Sequence, residues 1–173
     1  MKLTRRVLLG MLLSAIVGFT SGIGIKIAYE SSIFKPYEWR RDNAPIILNC
    51  YGSDFSKLQM VRAIDYWTLR GHRVALYEHD PDPETCKEDW IEGFIILRKV
   101  RSLSPEGTIA STRRFTSGVY MRGAEIRYTP GSFNLDLLNE HELGHALGYG
   151  HVEKLGHIMH PHYGKMGRDF SNP

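Results

Sequence analysis

Residues 141–161 read HELGHALGYGHVEKLGHIMHP. The rest of the chain can be interpreted as the scaffold that presents the side chains of this stretch. It holds His141 and His145 four residues apart, a glycine at position 148 and a third histidine at position 151. Residues four apart on a helix lie on one face, so His141 and His145 can direct their imidazoles at one point. Gly148 can adopt the left-handed conformation that ends a helix, and His151 can then return to the same point.

Three converging histidines suit a zinc ion, which takes imidazole nitrogens at about 2.0–2.1 Å and keeps a fourth position for water in catalytic sites. Glu142 is turned by about 100° from the first ligand, beside the ion rather than among its ligands. A zinc-bound water loses a proton readily, and a neighbouring carboxylate can accept it. The spacing therefore predicts one catalytic zinc held by His141, His145 and His151, with Glu142 as the general base.

The pattern HExxHxxGxxH followed by Met159 resembles the metzincin signature. HELGHALG and the M-x-P-x-Y stretch at 159–163 are similar to the matrixin family of that group. The resemblance implies a zinc endopeptidase acting on a polypeptide substrate, with Met159 in a tight turn as an apolar floor beneath the ligands. It also implies that Pro161 and Tyr163 line the pocket for the side chain after the scissile bond. An edge strand at about 108–116 would pair with extended substrate.

The chain departs from the family pattern in several places. Val152 follows the third histidine, where typical matrixins carry serine, and no PRCGVPD-like segment predicts latency through a cysteine. The loop before Thr108 lacks the His and Asp residues that hold structural metals in animal matrixins, so calcium is not predicted. Only 14 residues follow Met159, which predicts a minimal C-terminal subdomain.

Three more histidines, at positions 157, 160 and 162, compete for the role of third ligand. The spacing favours His151, because His157 would follow a longer and unconstrained loop. His160 and His162 are expected to be exposed or at the pocket rim.

The region before the motif alternates apolar runs with turn residues. Strands are predicted at 46–51, 73–78, within 90–100, at 108–116 and at 119–128. A helix over 55–70 is predicted to begin at a cap on Ser53 or Asp54 and to end at Gly71. The active-site helix is predicted from Asn134, capped by Ser132 or Asn134. The predicted fold class is therefore α+β, with a twisted mixed five-stranded sheet, a helix laid on it and an active-site helix. The resemblance implies that this arrangement is metzincin-like.

In the N-terminal segment 1–28, three basic residues precede a run of 19 uncharged residues, from position 7 to position 25. As a helix this run would cover about 28 Å, close to the hydrocarbon thickness of a bilayer. Basic residues ahead of the run favour a cytoplasmic N-terminus. We expect a transmembrane signal anchor with the catalytic domain outside the cytoplasm, or secretion if the signal is cleaved. Residues 29–43 are assigned to a linker, and residues 44–173 to the peptidase domain.

The composition is that of one globular domain, with 173 residues, 42% hydrophobic residues and a net charge of +3. No basic stripe with interleaved aromatics predicts nucleic-acid binding. Cys50 and Cys86 could form a disulfide or remain two buried thiols.

Two other functions stay open at this point. A zinc-bound module could hold peptides or a partner without turnover, although the intact Glu142 favours hydrolysis. A hydrolase of this type could also act on the peptides of envelope peptidoglycan.

Overall fold

The computed structural model describes residue 35, residues 37–40 and residues 42–171. The predicted anchor at 1–28 lies outside these residues and stays a prediction. Within the described ranges, no helix is both long and apolar enough to cross a membrane.

A five-stranded mixed sheet forms the framework of the domain, which confirms that part of the predicted fold. Its strands are β1 (Ile46–Cys50), β2 (Leu76–Glu78), β3 (Phe94–Lys99), β4 (Ala110–Ser117) and β5 (Tyr120–Tyr128). Their order across the sheet is β2-β1-β3-β5-β4. The first three pairs in this order are parallel, and β4 is antiparallel to β5. Strand β4 therefore lies at an edge.

Helix α1 (Lys57–Thr68) begins later than predicted. Its cap is Ser56, whose hydroxyl accepts a hydrogen bond from the Gln59 amide at 3.4 Å. The assignment of Ser53 or Asp54 was wrong because residues 52–55 form a separate turn, in which the Phe55 amide donates to the Gly52 carbonyl.

Helix α2 (Leu138–Ala146) also begins later than predicted. Residues Ser132–Asn134 form a short 3-10 turn instead, and Leu137 takes a φ of 65° immediately before the helix. The Ser132 hydroxyl donates to the Thr129 carbonyl within that turn, so it does not cap the helix. Trp67 of α1 joins the two helices, since its indole nitrogen donates to the Glu140 carbonyl at 2.7 Å.

Cys50 and Cys86 form a disulfide, with their Cα atoms 5.5 Å apart. The bond joins the end of β1 to the loop between β2 and β3. Arg98 of β3 supports the same loop by donating to the Cys86 carbonyl at 2.7 Å. Of the two arrangements left open by the sequence, the pair of free thiols is therefore not adopted.

Residues 37–39, which the sequence assigns to the linker, pack against the domain. The Glu38 amide donates to the Val119 carbonyl at 3.0 Å, and the Met121 amide donates to the Glu38 carbonyl at 2.8 Å. The Trp39 indole donates to the Ala146 carbonyl at the end of α2, at 2.9 Å. This segment therefore reaches the helix that carries two of the predicted ligands.

Candidate metal centre

The three predicted ligands come together at the end of α2. His145 Nε2 lies 3.1 Å from His141 Nε2 and 3.1 Å from His151 Nε2. Nitrogens that bind a tetrahedral zinc at about 2.0–2.1 Å would stand about 3.3 Å apart. The observed spacing is close to that value, so the three side chains can hold one metal ion.

The hydrogen bonds of the imidazoles fix which nitrogens face the centre. His141 Nδ1 lies 2.8 Å from the Ile158 carbonyl, and His145 Nδ1 lies 2.9 Å from the Tyr149 carbonyl. A carbonyl can only accept, so both Nδ1 atoms carry the proton and donate it. Burial lowers the pKa of His141 to about 4 and that of His145 well below its ordinary value, so both rings are neutral. Their Nε2 atoms therefore present lone pairs to each other, an arrangement that a cation between them would stabilise.

Gly148 makes the return of His151 possible. Its φ is 105°, a conformation that side-chain-bearing residues rarely adopt. A Cβ at this position would also stand 2.0 Å from the Tyr37 carbonyl oxygen. The turn between the second and third ligands therefore requires glycine for its own backbone and for the packing of the segment at 37–39.

Met159 lies directly against α2. It is fully buried, and its sulfur is 2.5 Å from where a Cβ of Gly144 would stand, between the two ligand-bearing turns. Its carbonyl accepts a hydrogen bond from the Val152 amide at 2.9 Å, next to the third ligand. The segment around Met159 thus contacts both ends of the ligand set.

Glu142 is buried beside the histidines and is held by a residue that the sequence analysis did not single out. Thr112 of β4 donates to Glu142 Oε2 at 2.6 Å. Burial raises the pKa of Glu142 to about 7, although the hydrogen bond from Thr112 acts to lower it. A carboxyl group with a pKa near neutrality suits proton transfer. Nothing local in the sequence connects two residues that lie 30 positions apart.

A cavity of about 490 Å³ opens next to His141 and Glu142. Pro161 and Tyr163, the predicted wall residues, line it. The rest of its lining is mixed: it includes the apolar residues Ile109, Ala110, Leu138 and Met166 and the polar residues Glu106, Thr108 and His162.

The competing histidines do not enter the cluster. His157 is buried, and its Nδ1 accepts a hydrogen bond from the Met159 amide at 3.0 Å. His160 is only 2% exposed, so the expectation of an exposed or rim position was wrong for this residue. Its Nδ1 accepts from the His162 amide at 3.0 Å, which satisfies the ring within its own turn. His162 lies in the cavity lining.

The sheet, the helix that carries two of the histidines and the adjacent glutamate together frame a centre that can hold one metal ion. A family model described as Matrixin matches residues 53–172. The chain belongs to the matrixin family of zinc metallopeptidases.

Among solved structures, the chain is similar to high choriolytic enzyme 1, a hatching enzyme zinc-protease from Oryzias latipes, the medaka fish. The identity is 18% and the TM-score 0.33, over 70% of this chain and 51% of that chain. The chain therefore spans about half the length of this relative. No curated protein sequence matches it.

Proposed function

We propose that this protein is a zinc-dependent endopeptidase in which Glu142 is the general base. One observation carries the proposal: three imidazoles come close enough together to hold one metal ion, and the buried carboxyl group of Glu142 lies beside them. Structural zinc sites are normally closed by four protein ligands, whereas three histidines leave one position for a reacting water.

His141, His145 and His151 would hold the ion. When bound, zinc supplies Lewis acidity and lowers the pKa of a coordinated water. Thr112 binds Glu142 Oε2, which fixes the orientation of the carboxylate and leaves Oε1 as the oxygen that takes up a proton. The same carboxyl group would then release that proton to the leaving amine.

The substrate we propose is an extended polypeptide lying along β4. An edge strand has unpaired backbone groups that an extended peptide can bind. The cavity lined by Pro161 and Tyr163 would accept the side chain after the scissile bond. Because the proposed contacts are mainly to the peptide backbone and to one side chain, they suit an unfolded polypeptide better than one specific small molecule.

We also propose that the domain acts outside the cytoplasm, tethered by the N-terminal segment or secreted after its cleavage. The uncharged run of 19 residues supports this, and so does the Cys50–Cys86 disulfide, since disulfides persist mainly in oxidising compartments.

Glu142→Ala tests the proposed base. The variant should keep stoichiometric zinc and a native circular dichroism spectrum, while cleavage of an unstructured peptide library falls by about 100-fold or more. Glu78→Ala is the matched control, because Glu78 is exposed on β2 at the opposite edge of the sheet. Undiminished cleavage by pure Glu142→Ala protein would refute the assignment.

The same assay separates the other functions. Stoichiometric zinc without cleavage of any peptide by the wild type would favour a binding module. Release of muropeptides from cell walls, without release of polypeptide fragments, would favour an envelope peptidoglycan hydrolase.

A further inference from the structure

Three alternate side chains of the edge strand β4 lie in a row beside the metal centre. Alternate residues of a strand share a face, so Ala110, Thr112 and Arg114 point to the same side of the sheet. Ala110 lines the cavity, and Thr112 donates to Glu142. Arg114 donates to the Tyr149 carbonyl at 3.2 Å, the same oxygen that accepts from His145. Along β4, the cavity therefore comes first, the proposed general base second and Arg114 third.

This order predicts the chain direction of a bound peptide substrate relative to β4. If the cavity accepts the residue after the scissile bond, Arg114 lies on the other side of Glu142 and meets residues that precede that bond. A peptide running from Arg114 to Ala110 is antiparallel to β4, so it can form a regular ladder with the strand. Two residues of a strand span about 6.7 Å, which puts Arg114 within reach of the second to fourth residues before the scissile bond, by a rough count.

Arg114 carries a positive charge that the described part of the chain does not pair with a carboxylate. Its guanidinium lies 5.1 Å from the ring centre of Tyr37, and its contact to Tyr149 is to a neutral carbonyl. The neighbouring Arg113 differs, because it points to the opposite face and lies 3.6 Å from Glu125.

We propose that Arg114 is a specificity-determining residue that selects substrates with an aspartate or glutamate shortly before the scissile bond. A carboxylate there would form a charge-assisted hydrogen bond with the guanidinium. The inference rests on the proposed peptidase function, because the direction of the substrate comes from the cavity.

The test compares peptides that differ only by Glu or the isosteric Gln at each of the four positions before the cleaved bond. The wild type should cleave the best Glu peptide about tenfold faster, in kcat/KM, than its Gln partner. Arg114→Gln should abolish this ratio, and Arg114→Glu should invert it in favour of the Gln peptide. Arg113→Gln is the matched control and should keep the wild-type ratio. Ratios within one variant are insensitive to any change in its zinc content.

A second readout does not depend on turnover. Binding of the same peptide pairs to zinc-loaded Glu142→Ala protein, followed by fluorescence anisotropy, should show the same tenfold preference and its loss on adding Arg114→Gln. Equal cleavage and equal binding of Glu and Gln peptides would overturn the role of Arg114 and leave the peptidase function intact. If no peptide were cleaved, the peptidase proposal would fail, and the binding preference would still decide whether Arg114 selects carboxylates.

Discussion

The replacement of Gly148 by alanine tests how the third ligand is brought to the metal centre. Two effects act at this position. Alanine is strained at a φ of 105°, and its Cβ would stand 2.0 Å from the Tyr37 carbonyl oxygen. Gly71→Ala is a matched control, because Gly71 has a φ of 87° but nothing within 4 Å of the added Cβ. The difference between the two variants isolates the clash.

The structure gives the size of each effect. A left-handed conformation costs an ordinary residue about 1–2 kcal/mol, and this is the whole effect expected for Gly71→Ala. In Gly148→Ala the segment at 37–39 must also move. Its three hydrogen bonds, two through the Glu38 backbone and one through the Trp39 indole, are each worth about 1 kcal/mol. The total loss for Gly148→Ala is then about 4–5 kcal/mol.

Urea unfolding of the metal-free proteins measures these losses, and competition with a chromophoric chelator measures zinc affinity. Gly148→Ala should lose about 3 kcal/mol more than Gly71→Ala. It should also bind zinc more weakly, because His145 and His151 flank the altered turn. Equal losses of stability in the two variants, with unchanged zinc affinity, would refute the argument that the segment at 37–39 closes on this turn.

Two further predictions concern stability. Replacing Cys50 and Cys86 together by serine should lower the free energy of unfolding by about 4 kcal/mol. The reason is that the disulfide closes a loop with a sequence separation of 36 and so lowers the entropy of the unfolded chain. Unchanged stability relative to the oxidised wild type would contradict this prediction. In metal-free protein, Glu142→Gln should become relatively more stable than the wild type as the pH rises. Burial in the folded state raises the pKa of Glu142 from 4.5 to about 7. The protonated side chain therefore contributes to the free energy of unfolding below pH 4.5, and this contribution is lost as the pH rises through 7. The difference should grow by about 3 kcal/mol between pH 4 and pH 8 in urea titrations, and a difference independent of pH would contradict the burial argument.

Local spacing in the sequence was sufficient to predict which histidines meet. His141 and His145 lie one turn apart on a helix, and the glycine three residues later marks where the chain turns back. The strands were predictable for a similar reason, since short apolar runs between turn residues reflect burial on a sheet. These features depend on residues that are close together in the chain.

Features that depend on distant residues were not predictable in this way. The contact of Thr112 with Glu142 joins positions 30 apart, and no local pattern marks that threonine as different from its neighbours. The late start of α2 depends on the unusual φ of Leu137, for which an ordinary leucine gives no signal. His160 is buried because a turn satisfies its ring, although a histidine in a polar tail normally suggests exposure.

The contact between Trp39 and Ala146 has a consequence for the order in which the site is assembled. The two residues are separated by 107 positions, and the first of them emerges early during synthesis. Its binding partner at the end of α2 is made only when most of the chain has been translated, and His151 follows later still. Such long-range closure is slow compared with local helix formation. The centre can therefore bind metal in its final geometry only after nearly the whole domain has been synthesised, so a partly made chain should lack a competent metal centre.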